Sequence, residues 1–262
     1  MTGNHDIIRS FAAIKEQSPL VLNITNYVAM NFSANALLAI GASPMMSFFP
    51  EEMEELVSEC DALVINIGCL DSLQVEAMAI AASAAQKYGK PWVLDPVGIG
   101  ASHIRKKICD ELVSLKPSII RGNPSEIMTL AGLDATSRGV DSCRSSNDAL
   151  SGAKALAISS GAVISVSGPR DYITDGNIVE TVSNGSPLMS RVTAMGCTAT
   201  ALTAAFAAVT RPFDAAFDTM MLMGLCGEAA ASKASGTGSL ETIFIDELFC
   251  FDPVVKIKNY RP

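Results

Sequence analysis

The sequence is poor in histidine, with only His5 and His103 among its 262 residues. So few imidazoles leave little material for a histidine-rich metal site. They also disfavour a Ser-His-Asp or Cys-His catalytic apparatus, because its imidazole would have to be one of these two. The sequence therefore favours chemistry that other side chains carry out.

Glycine-rich nucleotide motifs are also missing. The chain contains neither G-x-x-x-x-G-K-[ST] nor G-x-G-x-x-G. In P-loop and dinucleotide-binding proteins the backbone amides of these motifs cradle phosphates. If this chain binds a nucleotide, it does so through another arrangement.

Basic residues are in the minority, since 19 Lys and Arg against 27 Asp and Glu give a net charge of −8. We expect no nucleic-acid partner, because a phosphate-binding surface needs clustered Lys and Arg. With 49% hydrophobic and 18% charged residues, the composition is that of a globular protein. Since the chain has no linker, internal repeat or break in composition, we predict a single domain over residues 1–262.

The seven cysteines are odd in number, and no two of them have C-x-x-C spacing. Neither a disulfide framework nor a zinc site is therefore indicated. The N-terminal residues lack the basic-then-apolar order of a signal peptide. We predict a reduced, cytoplasmic protein.

One long stretch, residues 192–210, carries no formal charge. It is long enough to span a bilayer. However, it consists mostly of Ala and Thr with a single Leu and a single Phe, which is a weak membrane-insertion signal. We predict a helix buried in a soluble core, and no membrane partner.

Short apolar runs alternate with segments of helical spacing. The predicted strands are residues 20–24, 45–49, 62–67, 91–94, 118–120 and 162–166, and the predicted helices lie around 53–60, over 71–88, 104–115 and 147–159, and from 196 to about 249. This order predicts an α/β fold with a mostly parallel central sheet and helices on both faces. Residues 171–174 and 178–182 flank Asp175-Gly176, which predicts an antiparallel hairpin late in the sheet.

Polar residues follow the predicted strands, where open parallel sheets bind their ligands. They are Asn26, Asp95, Arg121, Glu126 and Ser167. Asp95 suits Mg²⁺, but it could also be a turn former before Pro96. Arg121 suits a phosphate, but it could also belong to a surface ion pair. Glu126 could bind the metal or, three residues after Asn123, cap a helix.

The most informative segment surrounds Gly196-Cys197, at the start of the uncharged helix. A helix N-terminus offers free N–H groups and about half a positive charge, so it suits a transferred phosphoryl group. A cysteine in the first turn would have its thiolate favoured. The alternative is that Cys197 is a small buried filler, and these residues alone leave both interpretations open.

Taken together, these segments resemble the hydroxyethylthiazole kinases, a thiamine-pathway family of the ribokinase-like superfamily. The resemblance runs from about Ser18 to Leu248, and it includes LLAIGASPMM, VLDPV and IRGNPSEI. Each piece alone is weak, and their number in one order makes the resemblance specific. The matching segments, all in the family's order, are residues 18–26, 34–46, 63–68, 91–97, 120–127, 138–141, 171–176 and 196–197.

The resemblance implies a single-domain ribokinase-like fold and an ATP- and Mg²⁺-dependent reaction. The phosphate acceptor would be the hydroxyl of 4-methyl-5-(2-hydroxyethyl)thiazole. By resemblance, Met45, Asn26 and Ala194 would bind this substrate, Arg121 and Ser167 would bind ATP, and Asp95 and Glu126 would organise Mg²⁺. Cys197 would stand where many ribokinase-like enzymes keep an aspartate base. The family is typically a homotrimer with active sites between subunits.

Two positions depart from the family pattern. Ala194-Met195 stand in place of Gly-x before Gly196-Cys197, and Ser167 replaces a commoner threonine while retaining the hydroxyl. An alanine at position 194 is tolerated if its φ is negative and is strained if its φ is positive. These departures bear on substrate affinity more than on the class of reaction.

Four alternative functions remain at this point. The chain could be a related kinase for another small alcohol, of the hydroxymethylpyrimidine or pyridoxal type. It could be a repair dehydratase for hydrated NAD(P)H, although such an enzyme should lack Cys197. It could be an enzyme that uses Cys197 as a thiolate nucleophile. Finally, it could be a non-catalytic protein that binds the thiazole or a nucleotide.

Overall fold

A computed structural model of the chain describes residues 6–133 and 146–262. His5, Cys143 and residues 138–141, which belong to the family resemblance, lie outside the described residues. The strands are β1 (Leu20–Ile24), β2 (Ser43–Met46), β3 (Ala62–Asn66), β4 (Trp92–Asp95), β5 (Ile119–Gly122), β6 (Val163–Val166), β7 (Asp171–Thr174) and β8 (Val179–Val182).

Helices fill most of the intervals between the strands. They are α1 (Ile7–Gln17), α2 (Met30–Ile40), α3 (Met53–Glu59), α4 (Ser72–Tyr88), α5 (His103–Ser114), α6 (Pro124–Leu130), α7 (Ser146–Ser160), α8 (Met195–Ala207), α9 (Pro212–Lys233), α10 (Thr237–Phe249) and α11 (Pro253–Lys256).

All eight strands join one sheet in the order β2-β1-β3-β4-β5-β6-β7-β8. The first six strands of this order pair in parallel. β7 and β8 pair antiparallel at one end, as the Asp175-Gly176 hairpin predicted. The α/β fold and its mostly parallel sheet are therefore confirmed.

Alternate side chains of the strands point into two separate hydrophobic cores. Val21, Val64 and Val93 face the helices α1, α2, α8, α9 and α10 on one side. Leu22, Leu63 and Leu94 face α3, α4, α5 and the helices that follow on the other. Strands buried on both faces read as continuous apolar runs in the sequence, and helices do cover both faces.

The second strand begins and ends earlier than the predicted range 45–49. β2 includes Ser43 and Pro44 and ends at Met46, and Phe49 is exposed beyond it. Pro44 can lie in this strand because β2 is an edge strand, where a missing N–H breaks no ladder on the outer side. The predicted bounds of this strand were therefore wrong.

The uncharged stretch forms α8, which is only 13 residues long and almost wholly buried. The described residues include no helix of the length and hydropathy needed to cross a bilayer. The interpretation of this stretch as a buried core helix is confirmed.

Three helices, α1, α2 and the short α11, had no counterpart among the predicted elements. α1 packs against α9 through a buried polar contact, in which the Ser10 hydroxyl donates to Asp218 Oδ2 at 2.6 Å. The other oxygen, Oδ1, is buried without a hydrogen-bond partner among the described residues. Burial, together with the charges of Asp214 and Asp6, raises the pKa of Asp218 to about 7, and the Ser10 hydroxyl opposes this shift.

This raised pKa predicts a pH-dependent stability. Between the unfolded value of about 4 and the folded value of about 7, the folded chain binds more protons than the unfolded chain, so stability is lost as pH rises through that window. Asp218→Asn removes this loss. The free energy of unfolding of the variant minus that of the natural chain should therefore be about 2 kcal/mol larger at pH 8 than at pH 5. Urea denaturation of both proteins at one protein concentration measures this difference.

The half-exposed Asp110 provides the matched control for this measurement. Asp110→Asn should show no comparable change between the two pH values. A pH-independent difference for Asp218→Asn would contradict the assignment.

Candidate active site

Four of the sequence-predicted residues meet at the carboxyl ends of adjacent strands. Asn26 follows β1, Asp95 ends β4, Arg121 lies near the end of β5, and Ser167 follows β6. The parallel register sets Asn66 beside Asp95 and Arg121 beside Ser165. The first turn of α8, with Gly196 and Cys197, is connected to this edge by the hydrogen bonds described next.

A chain of hydrogen bonds links Cys197 to Asp95. The Asn26 amide donates to Cys197 Sγ at 3.3 Å and to Asn66 Oδ1 at 2.9 Å. The Asn66 amide in turn donates to Asp95 Oδ2 at 2.8 Å. Thr200, one turn beyond Gly196 on α8, donates its hydroxyl to the same carboxylate oxygen at 2.8 Å. Sheet and helix are therefore joined through one buried carboxyl group.

Asp95 is only 2% exposed. Its burial raises the pKa of the carboxyl to about 7, and the negative charge of Glu126 adds to this, while Arg121, Thr200 and Asn66 oppose it. The carboxyl is held by polar contacts to its own neighbours rather than exposed at a turn. A simple turn-forming role does not account for these contacts.

Cys197 is half-buried, and burial raises the pKa of its thiol to about 11. The charge of Asp95 raises this pKa further, whereas the Asn26 and Asn66 amides and Arg121 lower it. Burial and the nearby carboxylate thus act against the thiolate, which a position in the first turn of a helix would favour. Cys197 is a protonated thiol at neutral pH.

Arg121 is buried, with 6% exposure, and reaches from β5 to α8. Its Nη1 donates to the Gly196 carbonyl at 3.0 Å. Its Nε is buried and has no hydrogen-bond acceptor among the described residues. A surface ion pair is thus excluded as the role of Arg121, and its remaining donors suit an anion.

A cavity of about 560 Å³ opens beside Arg121. This volume is typical of a site for a small molecule or cofactor. Its wall includes Ser167, Gly168 and Asp171 from the β6–β7 turn, Met195 and Gly196 from α8, and Met220, Met223 and Gly224 from α9. Arg121 and the start of α8 thus border both the cavity and the Cys197 network.

Ser167 lines the cavity, and its backbone N–H donates to the Gly122 carbonyl at 3.0 Å. Asp171 closes the adjacent turn by accepting the Gly168 N–H at 2.8 Å. Burial raises the pKa of Asp171 to about 6, against the opposing influence of the Gly168 N–H and Arg121.

Glu126 caps α6, as one of its two interpretations predicted. Its Oε2 accepts the Asn123 N–H at 2.9 Å while Asn123 Oδ1 accepts the Glu126 N–H, which completes a capping box. Its Oε1 accepts the Gly98 N–H at 3.0 Å. The capping role does not exclude metal binding, because each carboxylate oxygen retains a further lone pair.

Met45 lies apart from this hydrogen-bonded network, half-buried on the edge strand β2. Four large apolar side chains that follow β1, β2 and β3 in the chain are exposed. Tyr27, Val28, Phe49 and Leu73 are each more than half exposed. The Tyr27 ring contacts the Phe48 ring with centroids 5.8 Å apart.

Sequence reasoning gave no role to Asn66 or Thr200. Asn66 was visible as the last polar residue of a strand, and Thr200 lies four residues after Gly196, on the same helix face. Gly68 also contributes, because a Cβ there would lie 2.7 Å from Asn26 Nδ2. The absence of a side chain at Gly68 lets the Asn26 amide reach its two acceptors.

Ala194 precedes α8 in the left-handed conformation, with φ 62° and ψ 0°. Only a few non-glycine residues adopt such a φ, because the Cβ crowds the backbone. Since φ is positive at this position, Ala194 is strained there.

Comparisons with known proteins agree with this geometry. The model of the hydroxyethylthiazole kinase family matches residues 11–253. A hydroxyethylthiazole kinase of Brachyspira hyodysenteriae is 48% identical over 252 residues, which cover 96% of each chain. One of Vibrio atlanticus is 47% identical over 256 residues, which cover 97% of each chain.

Solved structures extend the comparison. The structure of a hydroxyethylthiazole kinase from Pyrococcus horikoshii has a TM-score of 0.91 at 38% identity and covers 97% of both chains. A pyridoxal kinase of Staphylococcus aureus in complex with ADP has a TM-score of 0.64 at 16% identity, covering 80% of this chain and 88% of that one. A ribokinase-like protein of Enterococcus faecalis has a TM-score of 0.66 at 14% identity, with coverage of 95% and 90%. These last two likenesses show the fold alone, which is ribokinase-like.

The strained backbone at position 194 leads to a prediction for stability. Ala194→Gly should raise the free energy of unfolding by about 1 kcal/mol, because glycine adopts this φ without crowding. Ala201→Gly, in the buried interior of α8, is the matched control and should lower it by about 1 kcal/mol. Urea denaturation of the two variants gives both values. Equal destabilisation by both substitutions would contradict strain at Ala194.

Proposed function

The chain belongs to the hydroxyethylthiazole kinase family, and from this premise we propose how its site carries out the family's reaction. In this reaction ATP phosphorylates the hydroxyl of 4-methyl-5-(2-hydroxyethyl)thiazole, in thiamine biosynthesis or salvage. The observation that carries the proposal is the junction at Arg121 and Gly196. It borders a nucleotide-sized cavity on one side and the Asn26–Cys197 contact on the other.

In this proposal ATP occupies the cavity, with its phosphates directed toward Arg121 and the start of α8. Buried guanidinium donors and the N-terminal N–H groups of a helix both favour negative charge. Ser167, on the cavity wall, adds a hydroxyl donor, which would exchange its 3.4 Å hydrogen bond to the Gly122 carbonyl for one to a phosphate oxygen. The thiazole alcohol binds on the side of Asn26, Ala194 and Met45.

Phosphoryl transfer passes through a loose transition state, so the protein contributes mainly positioning and charge stabilisation. This suits the high pKa of Cys197, because little proton abstraction is needed before the bond to phosphorus forms. We assign Cys197 the role of accepting the alcohol's proton late in the step, beside the Asn26 amide. Because the resting thiol is protonated, it first releases its own proton to water. The thiolate then takes the proton that the alcohol oxygen loses as its bond to phosphorus forms and the bond from phosphorus to the ADP oxygen breaks.

Asp95 and Glu126 have the donor chemistry for Mg²⁺. Mg²⁺ is usually held by one or two carboxylates together with water and substrate phosphates. No cluster of three or more acidic, His or Cys side chains that could hold a metal occurs within residues 6–133 and 146–262, so ATP oxygens would have to complete the site. Bound there, the ion would neutralise charge on the phosphates.

A homotrimer with active sites between subunits is supported by exposed apolar side chains beyond the ends of β1, β2 and β3, which are neighbours in the sheet. Tyr27, Val28, Phe49 and Leu73 are large apolar residues that remain exposed there, and large exposed apolar surfaces mark protein contacts. β2 is also an unpaired edge strand. A neighbouring subunit on this surface would bring Met45 into an enclosed substrate pocket.

The remaining assignments follow from the same framework. One sheet runs through all the strands described, which supports one kinase domain over residues 1–262. The six cysteines in the described part of the chain are free, which supports a reduced, cytoplasmic location.

A pKa of about 11 disfavours the alternative in which Cys197 is a thiolate nucleophile.

The proposed function is tested by ADP release in the presence of ATP, Mg²⁺ and the hydroxyethyl thiazole. We expect a signal only when both organic substrates are present. A small panel containing hydroxymethylpyrimidine and pyridoxal distinguishes the related alcohol kinases. Saturable binding without turnover would instead indicate a non-catalytic thiazole- or nucleotide-binding protein.

The role of Cys197 is tested in the same assay. Cys197→Asp should keep measurable activity because a carboxylate can also take the proton, whereas Cys197→Ala should lower kcat by about tenfold or more. An unchanged kcat in the alanine variant would remove Cys197 from the catalytic residues.

A further inference from the structure

One wall of the cavity is an irregular segment rather than a helix or strand. Residues 183–191, between β8 and α8, supply Ser183, Asn184, Gly185, Ser186, Pro187, Met189 and Ser190 to the lining. Apart from the 3-10 helix Pro187–Arg191, this wall segment has no regular structure of its own. Its position must therefore be fixed by contacts to the rest of the molecule.

Two glycines of α9 allow the wall segment to lie directly on that helix. A Cβ at Gly224 would lie 2.7 Å from the Asn184 carbonyl oxygen, and a Cβ at Gly227 would overlap Met189 Sδ. A side chain at Gly224 would therefore force the backbone of the segment to shift, and one at Gly227 would displace the Met189 side chain. The two glycines let the segment lie close to α9, but its polar groups still need hydrogen-bond partners.

Glu228, the residue after Gly227, satisfies two of these polar groups. Its Oε1 accepts the Gly185 N–H at 2.9 Å, and its Oε2 accepts the Asn184 side-chain amide at 3.1 Å. The Arg261 guanidinium pairs with Oε1 from the other direction. Glu228 itself does not line the cavity.

The last residues of the chain complete the enclosure of Asn184. Its amide also donates to the Asn259 carbonyl at 2.9 Å, and its Oδ1 accepts the Arg261 N–H at 2.6 Å. The Ser183 N–H donates to the Arg261 carbonyl at 2.8 Å. Asn184 is buried, so each of these bonds is protected from exchange with water.

We propose that Glu228 and Arg261 are positioning residues for nucleotide binding, which act by holding the wall segment through Asn184 and Gly185. The proposal rests on the assignment of the cavity to ATP. Neither residue touches the Cys197 network, so they affect the nucleotide side of the site and leave the thiazole side unchanged. The charge of Glu228 matters because a carboxylate accepts all three donors at once, whereas a neutral amide cannot.

The kinetic test compares KM for ATP with KM for the thiazole. Glu228→Ala should raise KM for ATP about tenfold and leave KM for the thiazole within about twofold, since it removes two hydrogen bonds to a charged acceptor. For Glu228→Gln, KM for ATP should lie between those of the natural chain and Glu228→Ala. Arg261→Ala, at an exposed residue, should also raise KM for ATP, but by less than Glu228→Ala. Arg121→Ala supplies the reference for lost ATP contact and should also raise KM for ATP more than KM for thiazole.

Glu247 provides the matched control. Like Glu228 it is a carboxylate with cationic partners, in this case Lys233 and Lys256. Glu247→Ala should change thermal stability without a selective effect on KM for ATP. If Glu228→Ala behaves in the same way as Glu247→Ala, or raises both KM values equally, the positioning role is wrong.

A second readout does not depend on activity. Hydrogen exchange of the nucleotide-free protein should show faster exchange across residues 183–191 in Glu228→Ala, with the Gly185 amide affected most. Unchanged exchange there would overturn the proposal even if KM rises. If the natural chain fails to release ADP but the exchange pattern is as expected, the proposed function fails while the positioning contact stands.

Discussion

The site depends on one buried carboxyl group, Asp95, which joins the sheet to the helix that follows it. Asn66 from β3 and Thr200 from α8 both donate to the same oxygen of Asp95. This contact fixes where α8 begins relative to the strand ends, and therefore where Gly196 and Cys197 lie. The polar contacts offset part of the burial penalty of the carboxyl, and the remainder is seen in its raised pKa.

Much of the fold was predictable because its local signals agree with its tertiary structure. Strands buried on both faces gave continuous apolar runs, and the Asp175-Gly176 turn marked the hairpin. α1 was missed although Ile7, Phe11 and Ile14 lie on one face and Asp6 caps its start. β2 was predicted to begin two residues too late, and it includes Pro44 because a proline is tolerated in an edge strand.

The candidate site was predictable in location but not in electrostatics. Strand ends and the start of α8 could be read from the sequence, and they do converge. The thiol pKa could not be read, because it depends on burial and on the distance to Asp95, which only the folded chain sets. The contacts of Glu228 and Arg261 with Asn184 could not be predicted either, because they join parts of the chain that are far apart in the sequence.

The protonated state of Cys197 has a consequence for the chemical durability of the enzyme. With a pKa of about 11, roughly one thiol in ten thousand is ionised at pH 7. Peroxides attack the thiolate rather than the thiol. The residue to which we assign proton transfer is thus shielded from sulfenic-acid formation by the same burial and neighbouring charge that keep its thiol protonated.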